Sequence, residues 1–273
     1  MSERVAGRPV ISFRNIHIGF GEGEVLKGVS FDVSAGETKV LLGEGGAGKT
    51  LLMKLAAGLL RPDSGEILVM DRNLAQMTES DLLEFRRHIG FVFQEGALFD
   101  SMTVAQNVSF RMSEEKIAEE EIESRVREAL RFVELEDAFE KLPEELSGGM
   151  RRRVAIARAV ADRPKILFYD SPTAGLDPVT SQTIIALILR LRDTIGATSL
   201  LATHRLQDAF GLANYSFDAA ANRVVPVAKN GGRPAHPTNV VVLRDGRNYF
   251  EGDTKQVLDS SDPYLKGFLA SVA

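Results

Sequence analysis

The sequence predicts an α/β fold that opens on antiparallel strands and continues into a largely parallel sheet. Three observations carry this. Short apolar runs separated by turns fill the first forty residues, strand and helix patterns alternate through the middle of the chain, and the composition is that of an ordinary folded protein. Of the 273 residues, 44% are hydrophobic and 26% charged, which excludes disorder and collagen-like repeats. The length suits one large domain or two small ones, with a sizeable core.

Residues 10–16, 25–33 and 38–42 read as the opening strands, and the alternation of Ser30, Phe31, Asp32 and Val33 marks a half-buried, antiparallel one. Helical spacing runs from Thr50 through Leu60 and is closed by Arg61, Pro62 and Asp63. A turn at Ser64-Gly65 leads into a short strand over 66–70, a short helix over 81–88 and a buried strand over 89–93. Residues 114–135 form the clearest amphipathic helix, with Ile122, Val126, Ala129, Leu130 and Val133 on one face and the run Glu119 to Glu121 on the solvated one. A helix over 147–160 precedes an apolar strand over 166–169. A further helix spans 181–194 and a buried strand 198–202. The Asn230-Gly231-Gly232, Pro234 and Pro237 cluster makes 219–238 a hairpin or flexible insertion, strand pattern resumes over 239–252, and 254–273 reads as a helical tail.

Charge and residue usage narrow the chemistry. With 33 basic against 38 acidic residues the net charge is −5, which argues against strong non-specific nucleic-acid binding. The absence of cysteine excludes disulfides, thiolate metal sites and a catalytic thiol. Residues 1–9 have a charged start with no apolar stretch after it, so no signal peptide is expected. The apolar run at 184–189 is six residues long, far below the ~18–20 needed to span a bilayer.

Three segments carry chemistry. Gly43-Glu44-Gly45-Gly46-Ala47-Gly48-Lys49-Thr50 fits G-x-x-x-x-G-K-[ST] between a strand and a helix. Its glycines let successive N–H groups converge on phosphate oxygens, the helix N-terminus adds partial positive charge, Lys49 reaches β/γ-phosphates and Thr50 can ligate Mg²⁺. The plainer alternative, a glycine turn tolerating left-handed geometry, is disfavoured by that flanking strand and helix. The strand at 166–169 ends in Asp170, which would lie at the C-terminal sheet edge where it can hold Mg²⁺ through water. In Leu146-Ser147-Gly148-Gly149-Met150, Ser147 can cap the following helix and the glycines admit a phosphate. The triple Arg151-Arg152-Arg153 sits on a helix whose other face is apolar, so it does not read as a nucleic-acid site.

In that order these motifs resemble the ATP-binding-cassette (ABC) family over nearly all of the first 210 residues. Residues 146–150 match its signature motif, Gln94 its Q-loop glutamine, 174–177 its D-loop with Asp177, His204 its switch histidine, and Phe20 the aromatic that stacks on adenine. The resemblance implies a P-loop NTPase cassette: a RecA-like mixed-sheet core, an antiparallel β subdomain and an α-helical signature subdomain at about 95–162, all within 1–253. A hairpin insertion at about 215–240 and a tail at 254–273 complete the chain. It also implies a head-to-tail homodimer in which each ATP-Mg²⁺ lies between the phosphate loop of one copy and Ser147, Gly148 and Gly149 of the other. Gln94, Thr50 and Asp170 would serve the metal, and Lys49, Asp170, Gln94 and His204 catalysis.

One residue departs from the family pattern. Where it has Glu after the strand-end Asp, as general base, this chain has Ser171. Three readings stay open: slow turnover, water positioned by His204 and backbone groups, or an ATP-gated clamp with little turnover. Hydrolysis is favoured because every other element is present, and phosphoryl transfer rests mainly on positioning and electrostatics.

The stretch Gln94 to Val104 (Q-x-G-A-L-F, then D-x-M-x-V) resembles ATPases of Mla/MCE-type phospholipid transporters, and Asp262-Pro263-Tyr264 through Leu269 agrees. That resemblance implies a separate integral-membrane permease, an MCE-type lipid-binding protein, a peripheral place on the cytoplasmic face of the inner membrane, and no nucleic acid. It leaves a small accessory subunit open. A non-transport ABC ATPase, the other alternative, would call for coiled-coil inserts, zinc cysteines or fused cassettes, none of which the sequence contains.

Overall fold

The computed structural model describes residues 8–21, 23–115, 117–227 and 236–272. Strands β1 (Ile11–Phe20) and β2 (Gly23–Val33) pair antiparallel from Ile11↔Val33 to Phe20↔Gly23. After β3 (Thr38–Leu42) and helix α1 (Lys49–Ala56), β4 (Ser64–Val69) returns against β1, and β5 (Arg72–Asn73) extends that sheet to the order β2-β1-β4-β5. Helix α2 (Glu79–Arg86) starts at a reciprocal Thr78–Asp81 cap and leads into β6 (Ile89–Val92).

Three helices follow: α3 (Val104–Ser113), α4 (Glu119–Phe132) and α5 (Gly148–Val160). The chain then alternates β7 (Ile166–Asp170), α6 (Pro178–Ile195), β8 (Thr198–Thr203) and α7 (Leu206–Asn214). A hairpin of β9 (Tyr215–Asp218) and β10 (Arg223–Pro226) precedes β11 (Thr238–Arg244), β12 (Arg247–Asp253), α8 (Thr254–Leu258) and α9 (Pro263–Val272). The central sheet has the order β12-β11-β3-β8-β7-β6, parallel throughout except for β12. No helix of the described residues is long and apolar enough to cross a membrane.

The strands of this sheet alternate between two cores. Val40, Leu42, Leu167, Tyr169, Leu201, Val240 and Val242 face the layer of α3 to α7. Leu41, Ile166, Phe168, Leu200, Ala202, Val241 and Leu243 face α1 and the antiparallel sheet. Both faces are covered, as a parallel sheet requires.

Several boundaries differ from the sequence reading. The amphipathic run at 114–135 is helical only over Glu119–Phe132, while α3 is a separate helix whose start is a Thr103–Gln106 capping box (Gln106 N to Thr103 Oγ1 3.2 Å, Thr103 N to Gln106 Oε1 2.8 Å). The strand at 239–252 is a hairpin, because Asp245 and Gly246 take φ of 51° and 78° and reverse the chain. Part of the insertion is the β9–β10 hairpin, packed along α6; its Asn230-Gly231-Gly232 segment lies outside the described residues. The tail is two helices, because Asp253 caps α8 while Asp262, accepting from Tyr264 N and Leu265 N at 2.9 Å, starts α9 afresh.

Helix α5 lies unusually close to the sheet at Gly90. A Cβ there would overlap the Ala159 carbonyl oxygen and sit 2.7 Å from Leu167 Cδ2. Gly90→Ala is expected to lower stability by about 2–3 kcal/mol through overpacking, read as a lower urea midpoint at unchanged m-value.

Candidate functional site

The C-terminal ends of β3, β7 and β8 deliver three loops to one edge of the sheet, the usual ligand position in such topologies. The first wraps over the N-terminus of α1. Gly43, Gly46 and Gly48 have φ of 154°, 81° and 93°, and a Cβ on Gly43 would lie 2.6 Å from the Leu243 carbonyl oxygen. Only glycine fits both the dihedral and the space there. Lys49, the first residue of α1, donates through Nζ to Gly43 O at 2.7 Å and Glu44 O at 2.8 Å, so its ammonium lies across the mouth of its own loop. Burial pushes its pKa down, against the opposing charges of Asp170 and Glu44.

Thr50 Oγ1 donates to Asp170 Oδ1 at 3.0 Å, and Ser171 Oγ approaches the same oxygen at 3.5 Å. Burial pushes the Asp170 carboxyl up, while the two hydroxyls and the nearby Lys54 and Lys49 pull it back. A hydroxyl beside a carboxylate is a hard-oxygen pair of the kind Mg²⁺ accepts, completed by phosphate oxygens and water. Among the described residues no cluster of three or more His, Cys, Asp or Glu side chains could form an all-protein metal cage.

A cleft of about 650 Å³ opens above these groups, and Phe20, Gly45, Gly46, Ala47, Gly48, Lys49, Thr50, Gln94, Ser171 and His204 all line it. Phe20, at the end of β1, is 58% exposed, an aromatic face free to stack. Lys54 lines the cleft too, and no carboxylate does among the described residues. Its titratable wall is Lys49, Lys54 and His204, suited to a polyanion.

Ser147, Gly148, Gly149 and Asp177 are not part of that cleft; they form a second surface. Ser147 caps α5, its Oγ accepting from Met150 N at 3.2 Å, and Asp177 caps α6 by accepting from Thr180 N at 3.0 Å. The two N-termini lie side by side, since a Cβ on Gly149 would sit 2.5 Å from Thr180 Cγ2. Two helix starts and their open N–H groups at one place make an anion-attracting surface.

Other residues that hold the site together gave no local signal. Buried Asp208 accepts from Thr173 Oγ1 at 2.6 Å and Thr203 Oγ1 at 2.7 Å, tying the loop after Ser171 to the one carrying His204. Arg152 donates to Phe93 O at 3.0 Å and Ala174 O at 3.3 Å, clamping α5 onto the ends of β6 and β7. All three arginines of the basic triple are held by backbone carbonyls, Arg151 by Leu146 O and Arg153 by Val133 O and Glu134 O.

Known proteins resemble this chain in sequence and in fold. A family profile described as ABC transporter matches residues 26–174. The chain is 38% identical over 224 residues to the methionine import ATP-binding protein MetN of Rhizobium johnstonii, covering 82% of this chain and 62% of that protein, so it spans under two thirds of that relative's length. It is 34% identical over 217 residues to the intermembrane phospholipid transport system ATP-binding protein MlaF of Haemophilus influenzae, covering 79% of this chain and 82% of that one. Among solved structures, the ATP-binding cassette MJ0796, a dimer in a post-hydrolysis state with ADP and Pi, superposes with a TM-score of 0.73 at 28% identity, over 89% of this chain and 98% of that one. Other relatives are named for sulfate/thiosulfate and spermidine/putrescine import, so the names diverge over cargo.

Proposed function

The chain belongs to the ABC transporter family, and from that premise we propose that it is the ATP-hydrolysing subunit of a phospholipid transporter of the Mla/MCE type. The observation that carries the ATPase reading is the single cleft where Lys49, Thr50, Gln94, Ser171, His204 and Phe20 converge, with Asp170 held behind Thr50. In this reading Phe20 stacks on adenine and the loop N–H groups with Lys49 hold the β/γ-phosphates. Thr50, Asp170 and Gln94 would hold Mg²⁺, which neutralises phosphate charge when bound. Ser171 and His204 orient water, while Ser147, Gly148, Gly149 and Asp177 of one copy complete the ATP site of a second copy.

The place of a membrane permease is supported by an apolar groove of about 500 Å³ beside Gln94, lined by Leu59, Phe91, Phe93, Phe99 and Phe110. Phe99 and Phe110 are 41% and 38% exposed and pack ring to ring at 4.5 Å. The loop carrying Phe99 is pinned by buried Asn107, which donates to Phe99 O, Met102 O and Thr103 O at 3.0–3.1 Å. An aromatic surface of this kind fits an amphipathic helix of the permease's cytoplasmic loops. The phospholipid assignment is supported by the Gln94 to Val104 segment and by MlaF, which matches this chain over most of both lengths.

The test is ATP turnover of the chain reconstituted with its permease and MCE-type partner in nanodiscs. Phospholipid is expected to stimulate turnover several-fold and methionine not at all. The pair Phe99→Asp and Phe110→Asp should abolish stimulation while leaving nucleotide affinity unchanged. Stimulation by methionine alone overturns the lipid assignment, and full stimulation of the Asp pair overturns the docking groove.

A further inference from the structure

The β9–β10 hairpin takes no part in the nucleotide cleft, yet it forms one wall of a second, open cavity. This cavity, of about 210 Å³, lies between the end of α4, the start of α5, α6 and the hairpin, and Arg153, Arg190 and Arg223 all line it. Neighbouring arginines of the helical layer are neutralised: Arg125 by Glu121, Arg127 by Glu123, Arg131 by Glu136 and Arg163 by Glu128. Among the described residues Arg153, Arg190 and Arg223 form no ion pair, although the chain as a whole carries a net charge of −5. Asp218, opposite Arg223 in the hairpin register, instead accepts from Ala220 N and Ala221 N at 3.0 and 3.1 Å and holds the turn.

Two of the three guanidinium groups are fixed in advance. Arg190 donates to Phe132 O at 3.2 Å and stacks over the rings of Phe132 at 4.4 Å and Phe217 at 5.5 Å. Arg153 donates to Val133 O at 3.0 Å and Glu134 O at 3.3 Å. Each neutral carbonyl occupies donors without cancelling charge, so both groups remain cationic, oriented and low in conformational freedom. Arg223 is exposed on the hairpin, and Asn222 at its turn adds an amide to the lining. Leu187, Val224 and Phe217 supply an apolar wall, and Glu134 is the one carboxylate among the lining residues.

We infer that this cavity is a binding site for a small organic oxyanion, a phosphate monoester or carboxylate whose apolar part rests on Leu187 and Val224. Planar guanidinium forks bind such groups bidentately, and a single acid, Glu134, stands among the lining residues. Because its walls come from α4 and α5 on one side and α6 and the hairpin on the other, an occupant would bridge α4 and α5 to α6 and the hairpin.

The test is calorimetric titration of the full chain with glycerol 3-phosphate, with the phosphate loop first saturated by a non-hydrolysable ATP analogue. One saturable site per chain is expected. Arg153→Gln and Arg190→Gln should each weaken it about tenfold, Glu134→Gln should tighten it, and Arg125→Gln should leave it unchanged. Arg223→Gln, on an exposed strand and without a structural bond from its side chain, should also weaken binding and guards against a folding artefact. Competition by vesicles containing phosphatidic acid, whose headgroup is a phosphate monoester, assigns the phosphoryl group to a lipid headgroup, and its absence assigns it to a soluble ester; both support the site. No saturable binding, or binding that survives Arg190→Gln and Arg223→Gln together, overturns it.

Discussion

Ser171→Glu is expected to raise ATP turnover at least about tenfold, measured as phosphate release at saturating MgATP. The argument rests on what lines the cleft. Among the described residues no carboxylate faces it, and the one behind it, Asp170, is engaged by Thr50 and Ser171. A hydroxyl orients water but takes no proton at neutral pH, whereas a positioned carboxylate base typically contributes ~10²–10⁴-fold. The backbone at 171 accommodates the change: its N–H is held by Ala202 O at 2.8 Å and its φ of 48° is already imposed on a non-glycine residue. A longer side chain at this position extends into the open cleft, not into the core. No detectable wild-type turnover with recovery in the Glu variant would identify the natural chain as a clamp that binds ATP without cleaving it. An unchanged rate would mean that His204 and the backbone already position the attacking water and that chemistry does not limit turnover.

What the sequence revealed and what it hid divide along physical lines. The phosphate loop, Thr50, Asp170 and the Ser147 cap were legible because each depends on a few consecutive residues between recognisable elements. Helix α3 was hidden although its Thr103-x-x-Gln106 box was present, because its apolar face is interrupted by Asn107, whose side chain serves the preceding loop. The Asp245-Gly246 turn is likewise written in the chain, but continuous strand propensity on either side masks it. The Asp208–Thr173–Thr203 cluster could not be read at all. Asp208 lies only five positions from Thr203 but 35 from Thr173, and only the parallel pairing of β7 with β8 brings the loop of Thr173 to the other two. The same holds for the cationic cavity, since nothing in the spacing of Arg153, Arg190 and Arg223 indicates that they share a wall.

Lys49→Ala is expected to reduce turnover by at least about a hundredfold while the protein stays folded by circular dichroism. The loss has two sources. Lys49 carries the full positive charge nearest the glycine loop, and oriented charge at a transferring phosphoryl group accounts for much of the rate in this chemistry. It also bridges Gly43 O and Glu44 O, so its removal leaves two carbonyls of the loop without their ammonium donor and frees the loop from its closed shape. Lys49→Arg should fail nearly as badly, because a planar fork cannot reproduce a point charge that bonds two carbonyls only one residue apart. Lys54→Ala is the comparison: Lys54 lines the same cleft further along α1 and forms none of these carbonyl bonds, so its loss, which removes only a charge that favours ionised Asp170, should cost far less than that of Lys49. If Lys49→Ala and Lys54→Ala prove equally mild, the loop N–H groups and helix α1 alone would hold the phosphates, and Lys49 would be a structural brace of its own loop.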